Sequence, residues 1–194
     1  MNKKHTYGFT LLEIVIVLAI VGILAGVLVP TIKGYVGSAK QLRAEQDTKA
    51  LGEAMLAFNK DTARYPIYQV GTATSPSNSV FVVTYTAEGD APAASVDAAS
   101  WGSATADTFD NQLENNTPAY PTTGEFAWRG PYIGPIRMDP WGNKYVSNAS
   151  KLLPNADNAA WVLSAGPNET IETTFSQGRS SPTIGGDDIA YRIK

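Results

Sequence analysis

The chain has 194 residues, of which 43% are hydrophobic and 17% charged, and its formal net charge is −3 at pH 7. This length accommodates one membrane anchor and one soluble domain of ordinary size, with enough apolar residues for a packed core. Cysteine is absent, so the chain has neither a disulfide nor a thiol nucleophile.

The first predicted element is an apolar segment near the amino end. Residues 9–29 are almost wholly apolar and carry one charge, Glu13. At 1.5 Å per residue they form a helix about 31 Å long, which matches the hydrocarbon thickness of a bilayer. Lysines precede the segment and no Ala-x-Ala-like site follows it, so the pattern alone predicts an uncleaved anchor with its amino end in the cytoplasm. A carboxylate as deep as Glu13 costs roughly 2.5–3.5 kcal/mol, which suggests a cationic partner.

Residues 30–65 are predicted to continue this helix as an amphipathic arm. Apolar residues recur at spacings near three and four as far as Phe58, and charged residues lie between them. Pro30 lacks a backbone donor and crowds the preceding turn, so we expect a bend or a melted segment there. The arm ends before Pro66, because the residue before a proline avoids helical geometry.

Residues 66–194 are predicted to form a soluble head. Runs of β-branched and aromatic residues predict strands at 80–85, 145–146, 160–164 and 189–193. The stretch between the first two strands is rich in small and polar residues, so a solvated loop is expected, with a short helix or anchored loop near Trp101 and Phe109. The head has seven basic and thirteen acidic residues, a net charge of −6, which argues against direct binding to nucleic acid.

One motif spans the start of the apolar segment. Gly8-Phe9-Thr10-Leu11-Leu12-Glu13 resembles the cleavage and methylation site of the type IV pilin superfamily, which includes pilins and the pseudopilins of type II secretion. The resemblance implies that residues 1–8 are a prepilin leader, that prepilin peptidase cuts between Gly8 and Phe9, and that the new amino group of Phe9 is methylated. It also implies that Glu13 meets the amine of a neighbouring subunit during assembly.

A second resemblance lies mostly in the carboxyl-terminal half. Four motifs are similar to the major, G-type pseudopilin of type II secretion: Arg64-Tyr65-Pro66, Asp139-Pro140-Trp141-Gly142-Asn143-x-Tyr145, Leu163-Ser164-Ala165-Gly166 and Gly186-Asp187-Asp188-Ile189. That family implies a type IV pilin-like α+β fold, in which a long amino-terminal helix packs on a small antiparallel sheet. The segment from 67 to 127 is longer than that resemblance leads us to expect.

The same resemblance implies a calcium site in the carboxyl-terminal loop. Carried over by position, its ligands would be Asn168, Asp187 and Asp188, together with loop carbonyls, and such oxygens suit calcium. Asn168 stands where the family usually has an aspartate, so one charge is lost. The alternative is that Asp187 and Asp188 only cap a turn after Gly185-Gly186.

The residues indicate a chain that is not an enzyme. The only histidine, His5, lies in the predicted leader, and no phosphate-binding loop or serine-centred elbow is present. Trp141, Tyr132 and Tyr145 could form a stacking platform for a ligand, although packing in the core or in a turn is favoured.

The leading hypothesis is a major pseudopilin that polymerises into the periplasmic pseudopilus of a type II secretion system. It would be a single-pass protein of the bacterial inner membrane with its head in the periplasm. Its partners would be copies of itself, prepilin peptidase, the inner-membrane assembly platform and minor pseudopilins. The alternatives are a type IV pilin for adhesion, motility or DNA uptake, and a monomeric membrane-anchored binding domain.

Overall fold

The computed structural model describes residues 8–69, 79–134 and 136–194. Contacts within the chain divide it into two compact units, Met1–Ala39 and Lys40–Lys194. One long helix, α1 (Leu11–Thr62), supplies the described helical part of the first unit and the first element of the second. The two units are taken in turn, since each has its own environment.

In the first unit the large apolar side chains of α1 are about half exposed or more in the part of the chain that the structure describes. Leu11 is 83% exposed, Ile23 70% and Val27 65%. By length and composition this part of α1 can cross a membrane. Its exposed apolar surface is therefore suited to lipid or to other helices, and the chain is a membrane-anchored protein.

Position 30 requires a correction. The helix runs through it without interruption, so the melted segment expected at Pro30 is not present. A proline removes only one hydrogen bond of the helix, to the carbonyl four residues earlier, and the ladder on either side is retained. The Thr31 hydroxyl donates to the Val27 carbonyl oxygen at 3.0 Å in the same turn. A bend at Pro30 remains a prediction.

In the second unit α1 buries one stripe of its surface. The stripe consists of residues spaced three or four apart, all at most 1% exposed: Ala44, Thr48, Leu51, Met55 and Phe58. The apolar pattern read from the sequence began earlier, but Tyr35, Val36 and Leu42 are more than half exposed. Burial against the head therefore starts only at Ala44.

The head contains one five-stranded sheet, one two-stranded sheet and short helices among its described residues. Their bounds are β1 Val83–Tyr85, β2 Ala93–Ala94, α2 Ala98–Trp101, β3 Ala106–Thr108, a π-helical turn Asp110–Glu114, β4 Val146–Ser147, a 3-10 turn Ala149–Leu152, β5 Trp161–Ser164, β6 Thr170–Ile171 and β7 Ile189–Arg192. The larger sheet has the order β3-β1-β4-β5-β7, and β2 pairs with β6 in the smaller one. This is the α+β class expected from the sequence.

The larger sheet is mixed, which corrects the expected antiparallel sheet. Its pairs are antiparallel except that β3 runs parallel to β1, with Thr84 opposite Asp107. The chain passes through β2 and α2 before β3 returns beside β1 in the same direction, as a parallel pair requires. The strands expected at 145–146, 160–164 and 189–193 are confirmed within two residues, whereas β1 begins at Val83.

The arm and the head share one hydrophobic core. Phe58 of α1 contacts the Tyr120 ring edge to face, with 4.8 Å between ring centroids. Tyr145 is fully buried, and its hydroxyl donates to Asp47 Oδ2 at 2.8 Å. Burial, and then the neighbouring Asp47, raise the pKa of Tyr145 far above its ordinary value, so the hydroxyl stays a donor. These contacts fix the second half of α1 on the head.

Gly52 marks a close approach between α1 and Tyr191 of the sheet. A methyl group at this position would overlap the Tyr191 ring of β7. Glycine inside a helix costs about 0.5–1 kcal/mol relative to alanine, so its presence here reflects the packing.

We predict that Gly52→Ala destabilises the head by about 1–3 kcal/mol, because the added methyl group displaces the Tyr191 ring. Thermal unfolding of the full chain in detergent, followed by near-UV circular dichroism, measures the effect. The matched control is Gly37→Ala on the same helix, where a methyl group meets nothing within 4 Å. Equal midpoints for the two variants would contradict the packing argument.

Candidate functional site

The predicted processing site lies immediately before α1. Residues 8–10 are exposed and have no regular secondary structure. The Phe9 side chain is 82% exposed, and nothing lies within 4 Å of a methyl group placed on Gly8. The bond between Gly8 and Phe9 therefore lies outside α1, and the described residues beside it are exposed.

Glu13 forms a capping box with Thr10 at the start of α1. The Thr10 backbone N–H and hydroxyl both donate to Glu13 Oε2, each at 2.9 Å. In return, the Glu13 backbone N–H donates to Thr10 Oγ1 at 3.2 Å. This pattern satisfies donors at a helix amino end that the helix itself leaves unpaired.

The capping box gives the Glu13 carboxylate a partner inside its own chain. A charge that must enter a membrane is less costly when it accepts hydrogen bonds, and here Thr10 supplies them. Sequence reasoning assigned a role to Glu13 but not to Thr10. The signal was available, because threonine followed three residues later by glutamate, before an apolar run, is the sequence pattern of a capping box.

The second candidate site is in the carboxyl-terminal loop, residues 164–188. The structure brings Asn168 and Asp187 into contact, whereas the side chain of the adjacent Asp188 bonds to the backbone of residues 172–173. The Asn168 backbone N–H donates to Asp187 Oδ2 at 3.1 Å, across 19 residues of chain. Asn168 and Asp187 are exposed, whereas Asp188 is 8% exposed.

Asp188 is buried and binds the backbone of the loop through hydrogen bonds. Its Oδ2 accepts hydrogen bonds from the backbone N–H groups of Glu172 at 2.9 Å and Thr173 at 2.7 Å. Its Oδ1 is buried and has no hydrogen-bond partner. Burial raises the pKa of the Asp188 carboxyl, against the hydrogen bonds from Thr173 and Glu172 that lower it, and the Glu172 charge raises it further.

The structure places Glu172 beside Asn168 and Asp187, although the resemblance gave Glu172 no role in this site. Its Oε2 accepts from Asn168 Nδ2 at 3.0 Å and from the Asp187 backbone N–H at 3.3 Å. The four residues Asn168, Glu172, Asp187 and Asp188 are called the loop site below. Gly186, which has a positive φ of 47°, makes room for Glu172, since a methyl group there would overlap the Glu172 carboxylate. In the sequence, the Gly185-Gly186 pair was the signal that another group could lie close to the backbone here.

The loop site fits a calcium ion in part. Within the described ranges no group of three or more Asp, Glu, His or Cys side chains is arranged to hold a metal ion. Amide and carbonyl oxygens would therefore have to complete the shell, as calcium accepts. The observation in favour is the buried, unpartnered Asp188 Oδ1, because a buried carboxylate oxygen ordinarily has a partner.

The aromatic residues considered as a stacking platform belong to the core and its margin. Tyr145 is fully buried, and Tyr132 and Trp141 pack against the same cluster partly buried. The backbone at Trp141 is held by Asp139, whose Oδ1 accepts its N–H at 2.9 Å. Ser164 of β5 donates to Asp139 Oδ2 at 2.6 Å and ties this turn to the sheet. The interpretation as packing residues is confirmed.

Comparisons with known proteins identify the amino-terminal motif and the family. Residues 3–29 match the model of the prokaryotic N-terminal methylation motif. The type II secretion system core protein G of Aeromonas hydrophila is 30% identical over 145 residues, 75% of this chain and 74% of that protein. The chain belongs to the core protein G family of type II secretion systems.

Two further members of the core protein G family align over still more of the chain. The protein of that name from Klebsiella pneumoniae is 28% identical over 171 residues, 88% of this chain and 91% of its own length. The one from Escherichia coli strain K12 is 27% identical over 169 residues, 86% of this chain and 85% of its own. No solved structure matches the chain. The resemblance noted from the sequence is confirmed.

We predict that Thr10→Val destabilises the first turn of α1. Valine has nearly the same shape, but its side chain neither donates to nor accepts from Glu13, so the turn loses the two hydrogen bonds of the hydroxyl and keeps only the one from the backbone N–H of residue 10. We expect the turn to lose about 1 kcal/mol. Hydrogen exchange of the Glu13 amide, which donates to the Thr10 hydroxyl, should then be about fivefold faster when measured on the full chain in micelles. Thr10→Ser keeps the hydroxyl and should protect this amide as the native residue does. Equal exchange in the valine and serine variants would contradict the capping box.

Proposed function

We propose that this chain is the major structural subunit of a type II secretion pseudopilus, cleaved by prepilin peptidase and polymerised in the periplasm. The observation that carries the proposal is the α1 segment before Ala39, whose large apolar side chains are about half exposed or more. Membership of the core protein G family supports the same role.

The apolar segment would have two environments in turn. Before assembly, lipid of the inner membrane covers it, with the leader in the cytoplasm and the head in the periplasm. After assembly, the same segments of neighbouring copies cover it and form the filament interior. The arm from Ala44 onward would carry the head at the filament surface, since its inner stripe is already buried against that head.

Glu13 would select the register between copies. Cleavage after Gly8 creates a cationic amine on Phe9, and methylation keeps it cationic. A carboxylate in an apolar helix is stabilised when such an amine of a neighbouring copy reaches it, and an unpaired charge is penalised. Thr10, which holds the carboxylate within the single chain, would satisfy it until that amine arrives.

The remaining roles follow from this proposal. The partners would be copies of the chain, prepilin peptidase, the inner-membrane assembly platform and minor pseudopilins. The subunit would not be an enzyme, because the predicted mature chain has neither histidine nor cysteine and its function needs polymerisation only. Calcium at the loop site would fasten a long loop that has no disulfide.

Processing gives a direct prediction. In cells that contain prepilin peptidase, the mature protein should begin at Phe9 and be one methyl group heavier than its sequence, which mass spectrometry of the amino-terminal peptide detects. In matched cells without the peptidase the protein should retain its leader. A protein that keeps residues 1–8 in both strains would contradict the proposed maturation.

Assembly gives a second prediction. Glu13→Gln keeps a hydrogen-bond acceptor for Thr10 but removes the charge, so membrane insertion should persist while the yield of sheared filaments falls at least tenfold. Glu45→Gln, an exposed acid on the same helix, is the matched control and should assemble normally. Native filament yield from Glu13→Gln would overturn the role of the charge.

A further inference from the structure

A small cavity lies beside the carboxyl end of α1, where the chain leaves the helix for the head. The described residues enclose a volume of about 140 Å³ there. Apolar and aromatic side chains form most of its walls, and two cationic side chains also line it. The walls include Ile67, Tyr68, Leu152 and Pro154, and the cations are Arg64 and Lys194. We call this space the end cavity.

The size and the walls of the end cavity fit one aromatic ring. An apolar protein cavity of about 150 Å³ accepts a benzene molecule. Ile67 and Leu152 are at most 1% exposed, so the inner wall is apolar. The end cavity is therefore suited to a phenyl group.

The two cations favour an acid beside that ring. The Arg64 guanidinium lies over the Tyr68 ring, 5.2 Å from its centroid, and in the part of the chain that the structure describes it forms no ion pair. The Lys194 ammonium donates to two backbone carbonyl oxygens. Burial, and then the positive charge of Arg179, lower the pKa of Lys194, while Asp157 raises it. A carboxylate placed beside these two cations would be attracted to both.

One exposed pair of residues in the head has this combination of ring and acid. Phe126 is 57% exposed, and the residue before it, Glu125, is an exposed acid. Met138 and Ile184 are exposed to 45% and 46%, but neither is aromatic and neither has an exposed acid next to it. Phe126 does not line the end cavity of its own chain. A ring from residue 126 would therefore have to come from another copy.

We propose that Phe126 of one copy inserts into the end cavity of a second copy, with Glu125 beside Arg64 and Lys194. The inference rests on the proposal that the chain polymerises, and it adds a contact between heads to the contact between apolar segments. The inserted ring and the cavity are different surfaces, so each copy can use both at once. Such a contact continues from copy to copy, as a filament requires, whereas a surface that binds itself closes after two copies.

The yield of sheared filaments from the full chain tests the inserted ring. Phe126→Ala should lower this yield about tenfold, because an aromatic side chain seated in a pocket is typical of the residues that dominate an interface. The matched control is Ile184→Ala, which also shortens an exposed apolar side chain of the head and should give the native yield. Near-UV circular dichroism should show both variants folded, since both side chains are exposed in the single chain.

An exchange of charges tests the end cavity. Glu125→Lys and Arg64→Glu should each lower the filament yield about tenfold, because each variant places like charges together between copies. The variant with both substitutions restores an opposite pair and should recover most of the yield. A loss that came only from a damaged head would not be recovered in this way.

Cross-linking tests whether the contact joins two copies. The native chain has no cysteine, so only introduced cysteines can form a disulfide. Filaments that mix Glu125→Cys copies with Asn59→Cys copies should contain a disulfide-linked dimer of the two, because Asn59 also lines the end cavity. A mixture of Ile184→Cys and Asn59→Cys copies is the matched control and should contain no such dimer.

The outcomes separate this inference from the proposed function. If the native chain forms no filaments, the proposed polymerisation fails and this inference fails with it. If the native chain forms filaments and Phe126→Ala yields as many as Ile184→Ala, polymerisation stands and the contact between heads is wrong. A loss of yield in Phe126→Ala with neither recovery in the double variant nor a mixed disulfide would assign Phe126 to a different protein and would also overturn the inference. If Arg64→Glu does not fold, the mixed disulfide decides.

Discussion

An apolar helix that its own chain leaves uncovered is the constraint on which the rest of this protein depends. The segment of α1 before Ala39 exposes nearly every large side chain, and such a surface is suited to lipid or to other helices, which in the proposed filament are those of neighbouring copies. A protein that exchanges one cover for the other needs a means of registering copies within an apolar environment. One carboxylate at the start of the helix, held locally by Thr10, is suited to that task.

The second half of α1 has the opposite requirement, because it must hold the head firmly. Three kinds of contact do so: the stripe from Ala44 to Phe58, the hydrogen bond from Tyr145 to Asp47, and the close approach of Gly52 to Tyr191. None of these contacts involves the exposed apolar segment.

The sequence was most informative where a pattern is local. Length and hydropathy located the anchor, the Gly8 to Glu13 motif predicted the methylation motif that the family model matches, and runs of β-branched and aromatic residues located β5 and β7. It was least informative where the outcome depends on partners distant in the chain. Three features depend on how distant segments of the chain pack against one another. They are the parallel pairing of β3 with β1, the exposure of Leu42 and the approach of Glu172 to Asn168. Pro30 shows the same limit, since a helix with intact turns on both sides tolerates one lost hydrogen bond.

The central claim is that this subunit serves protein export. The most direct test compares exported proteins in the culture medium of a strain lacking this gene with those of the complemented strain. The account predicts that the exported proteins are retained in the periplasm of the deletion strain and return to the medium on complementation. Unchanged export, with loss of surface filaments instead, would contradict it and would favour a type IV pilin.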